Sequence, residues 1–163
     1  MIQWNDKYSV GISIIDEEHK KLIDIINLAI VSKEQNYNSE KTKEVLNEMD
    51  EYKCKQFTIE DTGMLKFNFS EYQVHRNELL NFMDSTIESY KDLTMDNYQI
   101  INEILEFLKQ WFVNHILETD KIYINSINES GLCNADLNKE TQIFQFKPCP
   151  FETTLHLKNP SIS

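Results

Sequence analysis

The sequence predicts an all-α protein: an up-down-up-down four-helix bundle with an N-terminal arm and an irregular C-terminal tail. Two observations support this fold class. All three prolines lie at position 148 or beyond, so no proline interrupts a helix in the first 147 residues. Apolar residues also recur at helical spacing in four segments joined by short polar connections, which is the pattern of an antiparallel bundle.

Each segment carries one stripe of residues that we expect to face the interior. The first three stripes lie within residues 12–29, 45–67 and 72–90. The fourth segment starts near residues 94–97 and has a natural end at Gly131. Its stripe consists of Ile101, Ile104, Leu108, Trp111, His115 and later Ile122.

The helical pattern fades after Gly131, so we divide the chain into a bundle at residues 1–131 and a C-terminal extension at residues 132–163. The extension is either a loosely packed tail or a segment that docks on the bundle through its aromatic side chains. Those side chains are Phe144, Phe146 and Phe151.

The charge balance excludes two classes of partner. Asp and Glu number 27 against 16 Lys and Arg, giving a net charge of −11. With no basic patch to neutralise phosphates, we expect neither a nucleic acid nor an anionic membrane as partner. The first residues also lack the pattern of a secretory signal, and no apolar run has the length of a membrane span. The three cysteines, Cys54, Cys133 and Cys149, form no C-x-x-C pair, which favours reduced thiols in a cytoplasmic protein.

Polar side chains interrupt the inward stripe of every predicted helix. His19, His75 and His115 occupy three stripes, and Glu60 occupies the remaining one. A single histidine on an apolar face is usually an ordinary core residue. A buried glutamate is different, because an ionised carboxylate without a partner is costly to bury. Three histidines around one such carboxylate point to iron, manganese or zinc.

Asp120 follows His115 by five residues, so the two side chains do not share one face of an α-helix. A metal on the bundle axis would still collect both, with the aspartate reaching from the next turn. The alternative is that Asp120 is a solvated or capping residue.

Two longer motifs carry a family resemblance. The N-terminal pattern W...Y.VGI..ID..H runs from Trp4 to His19, and the pattern W...HI...DK.Y runs from Trp111 to Tyr123. With the spacing from Glu60 to His75, these motifs resemble the hemerythrin family, specifically its single-domain bacterial type. The resemblance covers residues 4–124 and leaves the C-terminal extension outside.

The resemblance implies a non-haem di-iron centre, oxo- or hydroxo-bridged, that binds dioxygen. In the family, five histidines and two bridging carboxylates hold the irons, and dioxygen binds at the open position of the two-histidine iron. Five positions of this chain match that ligand set: His19, Glu60, His75, His115 and Asp120. Two positions depart from it. Gln56 and Leu79 stand where the family has histidines; glutamine is a weak ligand and leucine is none. The adjacent Glu78 and Asp61 are either replacement carboxylates or, the reading we favour, surface charges.

Three functions follow from a depleted ligand set. The first is an iron-binding protein that stores, delivers or senses oxygen. The second is a redox variant that oxidises Fe(II) or consumes peroxide, and would be an enzyme. The third is a bundle without a dinuclear centre that serves as an interaction module, with Glu60 hydrogen-bonded by Gln56 or His75. The retained ligands and the two losses favour the first and third functions over an enzyme.

Overall fold

The computed structural model describes residues 1–35, 39–93 and 100–129, and it confirms the all-α bundle. The helices are α1 Ser13–Glu34, α2 Ser39–Lys66, α3 Tyr72–Leu93, α4 Ile100–Trp111 and α5 Asp120–Glu129. A π-helical segment, Phe112–Thr119, joins α4 to α5, so these three pieces form the fourth helix of the bundle. Both α1 and α3 pack against α2 and α4, and the described ranges contain no strand.

The predicted stripes form the interior of the bundle. Leu22, Ile26, Met49 and Leu108 are completely buried in one apolar cluster. A second cluster, which includes Leu79 and Tyr123, lies towards the other end of α1 and α2. Because the two clusters flank the polar residues of the stripes, those residues lie in a surrounding from which water is largely excluded.

The N-terminal arm is fixed to α1 by side chains that satisfy its backbone. Asn27 donates to the Ile2 carbonyl and accepts from the Ile2 amide, at 2.8 and 2.7 Å. Asp16 accepts the amide of Val10 at 2.8 Å and the hydroxyl of Ser9 at 2.5 Å. Gly11 turns the chain into α1 with a φ of +79°, a conformation that glycine adopts without steric cost.

The π-helical segment changes which residues of the fourth helix face the core. Ile122, predicted on the inward stripe, is instead 52% exposed, and that prediction is wrong. Tyr123 and Ile124 are buried in its place, at 1% and 2% exposure. A π-turn contains one residue more than an α-turn, so the helical face rotates by one position after this segment.

Several predictions fall on residues 36–38, 94–99 and 130–163, outside the described residues. They include the start of the fourth segment, the C-terminal extension, and therefore the domain boundary, which stays a prediction. Cys133 and Cys149 also lie there. Cys54 is disulfide-bonded, so the prediction that all three cysteines are reduced thiols is wrong, and the cytoplasmic assignment loses that support. Across the described ranges, every helix is too short or too polar to pass through a bilayer.

Candidate metal centre

Four of the predicted ligands form one buried group. Glu60, His75, His115 and Asp120 each offer a ligand atom, and these atoms all lie within 4.8 Å of one another. None of the four residues is more than 1% exposed. The shortest approach is 2.7 Å, from His75 Nε2 to Glu60 Oε2, and His115 Nε2 lies 3.3 Å from Asp120 Oδ1. Each donor comes from a different helical segment, and together they occupy the centre of the bundle.

Each of the two carboxylates has one oxygen on one side of this group and its other oxygen on the opposite side. Glu60 Oε2 and Asp120 Oδ1 face His75 and His115, which we call the His75–His115 side. Glu60 Oε1 accepts a hydrogen bond from the Gln56 amide, and Asp120 Oδ2 lies 3.0 Å from His19 Nε2. This second half is the His19–Gln56 side. The division of oxygens is the arrangement that two bridging carboxylates require.

The π-helical segment brings His115 and Asp120 together. The Asp120 amide donates to the His115 carbonyl five residues earlier, so the two residues lie one π-turn apart. A spacing of five residues would separate them by more than one turn of an α-helix, but here both side chains face the same point. We expected Asp120 to reach the centre from the next helical turn, but the π-turn makes that extension of the side chain unnecessary. Short π-helical segments within α-helices are frequently found at functional sites.

Hydrogen bonds from outside the group orient two of the imidazoles. His19 Nδ1 donates to the Tyr8 carbonyl at 3.1 Å, and His115 Nδ1 lies 3.3 Å from Glu78 Oε2. Each ring therefore commits its outer nitrogen and presents Nε2 to the centre, as metal-ligating histidines commonly do. We expected Glu78 to be a surface charge. Its side chain is 39% exposed, but it also orients the ring of His115.

Burial and charge act in opposite directions on the buried ionisable groups. Burial alone would raise the pKa of Glu60, but the nearby positive charges of His115 and His75 lower it, and His75 also forms a hydrogen bond to it. Burial alone would lower the pKa of His115, but Asp120, Glu60 and Glu78 raise it. Without another cation, the centre therefore keeps a proton on His115 to compensate its two buried carboxylates. A metal ion would replace that proton.

Some atoms of the group lack the hydrogen bond that burial normally demands. His115 Nε2 and Asp120 Oδ1 find no hydrogen-bond partner among the described residues, although both are fully buried. At 3.3 Å they lie close together without hydrogen-bond geometry. An unpaired buried polar atom costs about 1–3 kcal/mol, so such atoms call for an explanation. An ion between them and His75 would ligate all of them at once, and the residues present therefore fit a metal.

The two departures from the family pattern have different effects. Leu79 is 2% exposed and packs into the apolar cluster with Tyr123, so it closes the His75–His115 side with hydrocarbon. Gln56 is also buried, but it presents its amide nitrogen, a donor, to Glu60. Its oxygen is therefore directed elsewhere. Asp61 accepts from the Tyr72 hydroxyl at 2.8 Å and pairs with Arg76, as expected of a surface carboxylate.

Two supporting residues were not assigned a role from the sequence. The Tyr8 carbonyl is a backbone group, so no residue type identifies it, although Tyr8 belongs to the N-terminal motif. The position of Glu78 could have indicated its role. It follows His75 by three residues on α3, so the two side chains lie on adjoining parts of the same helix face. Glu18 was not singled out either, yet it is 1% exposed.

Similarity to known proteins extends over most of the chain. A profile of the Hemerythrin HHE cation binding domain matches residues 10–127. The bacteriohemerythrin of Clostridium acetobutylicum is 31% identical over 77% of this chain and 100% of that protein. A bacteriohemerythrin of Pseudomonas aeruginosa is 24% identical over 78% of this chain and 82% of that protein. A hemerythrin-like protein of Naegleria gruberi is 27% identical over 74% of this chain and 88% of that protein.

Proposed function

The chain belongs to the hemerythrin family, and on that premise we propose that it binds non-haem iron at the centre of the bundle and takes dioxygen as a ligand. The ligands are His19, Glu60, His75, His115 and Asp120. Bound iron supplies the redox chemistry that dioxygen binding needs. The observation that carries the proposal is the division of the carboxylate oxygens between two sides, each with at least one imidazole.

We propose that the two sides differ in affinity. The His75–His115 side offers two imidazoles and two carboxylate oxygens from buried, oriented groups. The His19–Gln56 side offers one imidazole and two carboxylate oxygens, and Gln56 presents a hydrogen-bond donor there. Imidazole is the better donor to Fe(II), so iron should fill the His75–His115 side first. Leu79 leaves that side one histidine short of the family pattern, so the expected affinity is below that of the full set.

One observation favours a second function, an interaction module without a dinuclear centre. Both oxygens of Glu60 already have hydrogen-bond partners within the protein, Gln56 on one side and His75 on the other. That network satisfies the buried glutamate without a metal. It leaves His115 Nε2 and Asp120 Oδ1 without partners, however, and for that reason we rank iron binding first.

The deciding experiment measures iron per chain after iron-replete expression, together with the visible spectrum in air. We expect between one and two irons per chain and a charge-transfer absorption that changes on removal of dioxygen. Asp120→Asn should abolish both, because it removes a carboxylate that faces both sides. The matched control is Glu118→Gln, which makes the same chemical change at an exposed position two residues earlier.

The outcomes separate the two functions. Parent protein that contains no iron after reconstitution would overturn iron binding and leave the interaction module. Iron retained equally by Asp120→Asn and Glu118→Gln would show that the metal lies elsewhere. Turnover of Fe(II) or peroxide that is abolished by His115→Ala would instead establish the redox enzyme.

A further inference from the structure

The N-terminal arm, which precedes α1, contacts two segments that supply candidate metal ligands. The Tyr8 carbonyl accepts the hydrogen bond from His19 Nδ1 at 3.1 Å. The carbonyl of the preceding residue, Lys7, accepts a hydrogen bond from the Lys121 ammonium, also at 3.1 Å. Lys121 directly follows Asp120 at the start of α5. Two successive carbonyls of the arm are therefore held by a candidate ligand on α1 and by the neighbour of a candidate ligand on α5.

Packing and further hydrogen bonds keep the arm in this position. The Tyr8 ring lies edge-on to Phe112, the first residue of the π-helical segment, with 5.0 Å between the ring centroids. The side chains of Asn27 and Asp16, both on α1, bind the backbone of the arm near its two ends. The ends of the arm are thus fixed to α1, while its middle lies against the fourth helix of the bundle.

The hydrogen bond to Tyr8 determines which nitrogen of His19 is available to a metal. A neutral imidazole carries one proton, and a carbonyl oxygen only accepts. With that proton on Nδ1, His19 Nε2 keeps its lone pair and faces Asp120 Oδ2 at 3.0 Å, where a cation between the two atoms is favourable. If the arm leaves, the proton can move to Nε2 and be donated to Asp120, which occupies both ligand atoms. The docked arm therefore selects the metal-binding form of His19.

We infer that docking of the N-terminal arm and binding of a metal at His19 stabilise each other, with Lys121 as the positioning residue that secures the docked arm. This inference rests on the proposed iron binding and adds a regulatory link to it. Coupling between two equilibria is reciprocal, so the factor by which metal stabilises the docked arm is also the factor by which the docked arm raises metal affinity. Because residues 5–7 of the arm are exposed, metal occupancy at the buried centre is transmitted to the protein surface.

The first test does not require metal. The NMR resonances of the His19 ring nitrogens in the metal-free full chain report directly whether Nδ1 carries a proton. We expect that it does, because the Tyr8 carbonyl accepts that proton. A ring without a proton on Nδ1 would overturn the inference and would say nothing against iron binding.

The second test is amide hydrogen exchange in residues 2–10, measured with and without saturating Fe(II) under anaerobic conditions. Fe(II) should slow this exchange by about fivefold or more, as usual for coupled sites. His19→Ala keeps both imidazoles of the His75–His115 side, so iron still binds there. In that variant Fe(II) should no longer slow exchange in the arm, because the link through His19 is gone.

Variants of Lys121 test its role in the metal-free protein. Lys121→Met should speed exchange in residues 2–10 by about three- to tenfold, the effect of losing one hydrogen bond. Lys121→Arg retains a donor for the Lys7 carbonyl and should stay within about twofold of the parent. The matched control is Lys109→Met, which removes an ammonium paired with Glu106 of its own helix and should also stay within about twofold. Equal acceleration in Lys121→Met and Lys109→Met, or no rescue by arginine, would refute the role of Lys121.

The outcomes separate this inference from the proposed function. Parent protein that binds Fe(II) without any change in arm exchange overturns the coupling and leaves iron binding in place. Equal slowing in the parent and in His19→Ala also contradicts the coupling, because it would reflect a general stabilisation by metal. Parent protein that binds no Fe(II) overturns the proposed function and the coupling together.

Discussion

The two sides of the candidate centre share their carboxylates but differ in how their other donors are held. On the His75–His115 side, Trp111 stacks on the His115 ring with 4.1 Å between centroids, and Tyr123 lies edge-on to His75 at 5.7 Å. Glu78 fixes the outer nitrogen of His115. On the His19–Gln56 side, the Tyr8 carbonyl fixes His19, and Gln56 donates to Glu60.

The two sides illustrate two different ways in which a protein can satisfy a buried carboxylate. One side presents two imidazoles to the carboxylates, and the inward nitrogen of His115 has no hydrogen-bond partner among the described residues, so this side is preorganised for an ion. The other side presents a neutral amide hydrogen to the carboxylate, so it is already partly satisfied. Loss of one histidine therefore does not have the same consequence on both sides. Leucine leaves a gap in the ligand set, whereas glutamine builds a hydrogen bond in place of a ligand.

The largest expected effect comes from His115→Ala, which removes an imidazole nitrogen that lies 3.4 Å from Glu60 Oε2 and 3.3 Å from Asp120 Oδ1. Iron binding should be lost, and the free energy of unfolding of the metal-free protein should fall by about 3–5 kcal/mol, because Glu60 and Asp120 lose a compensating charge. Iron analysis and denaturant unfolding measure the two effects. Val113→Ala, at a 47% exposed position in the same π-helical segment, should change stability by no more than about 0.5 kcal/mol. Parent-like iron content in His115→Ala would refute the assignment.

The next effect is a loss of stability of the metal-free protein in alkali. The pKa of His115 is raised in the folded state, so its contribution is complete below about pH 6.5, the unfolded value, and is lost as pH rises towards the folded pKa. The slope is at most about 1.4 kcal/mol per pH unit. The lowered pKa of Glu60 acts in acid, where stability falls below about pH 4.3.

Denaturant unfolding at several pH values measures this dependence. His115→Ala should remove the alkaline loss and leave other pH effects in place. Stability of the metal-free parent that increases between pH 7 and 9 would contradict the charge compensation described above.

A smaller effect distinguishes the two sides directly. Gln56→His should raise the Fe(II) affinity of the His19–Gln56 side by about tenfold or more, because it replaces a hydrogen-bond donor with an imidazole ligand. Leu79→His should do the same for the other side, while costing the metal-free protein about 1–3 kcal/mol for an unpaired polar group. Titration with Fe(II) measures both. Gln35→His, an exposed glutamine at the end of α1, is the control; equal gains in all three variants would mean non-specific binding.

The smallest effect tests the arm that holds His19. Gly11→Ala should destabilise the protein by about 1 kcal/mol, because alanine is strained at a φ of +79°. An added Cβ meets no atom within 4 Å, so backbone strain alone accounts for the loss. Gly11→Asn should cost less, since asparagine tolerates this conformation better. Thermal unfolding measures both variants, and an equal loss in the two would point to a cause other than φ.

The sequence predicted the bundle and the inward stripes because helical periodicity is a local property of the chain. Leu22, Met49 and Leu108 follow directly from it and are completely buried. The exposure of Ile122 could not be predicted in this way, because a π-turn has no signature in the spacing of apolar residues. Its one additional residue changes which side chains of the fourth helix face the core. The disulfide at Cys54 was equally invisible, since pairing depends on the tertiary fold.

For the candidate site, the sequence predicted which side chains meet but not how they are oriented. Glu60, His75, His115 and Asp120 converge as expected, since each occupies an inward position. The partners of their outer atoms could not be predicted in the same way. Glu78 of α3 contacts His115 of the π-helical segment, and the Tyr8 carbonyl of the N-terminal arm contacts His19 of α1. Such contacts depend on helix rotation and on a turn that only the folded chain defines.

The π-helical segment also limits how this protein can change in length. Each residue of a helix adds about 100° of rotation, so deleting one residue within Phe112–Thr119 would turn everything after it to a different direction. Asp120 would leave the centre, Ile122 would turn inward, and Tyr123 would lose its contact with His75. Insertions and deletions should therefore be far less tolerated in this segment than in the connections between helices. This should hold even where the residues that flank the segment vary.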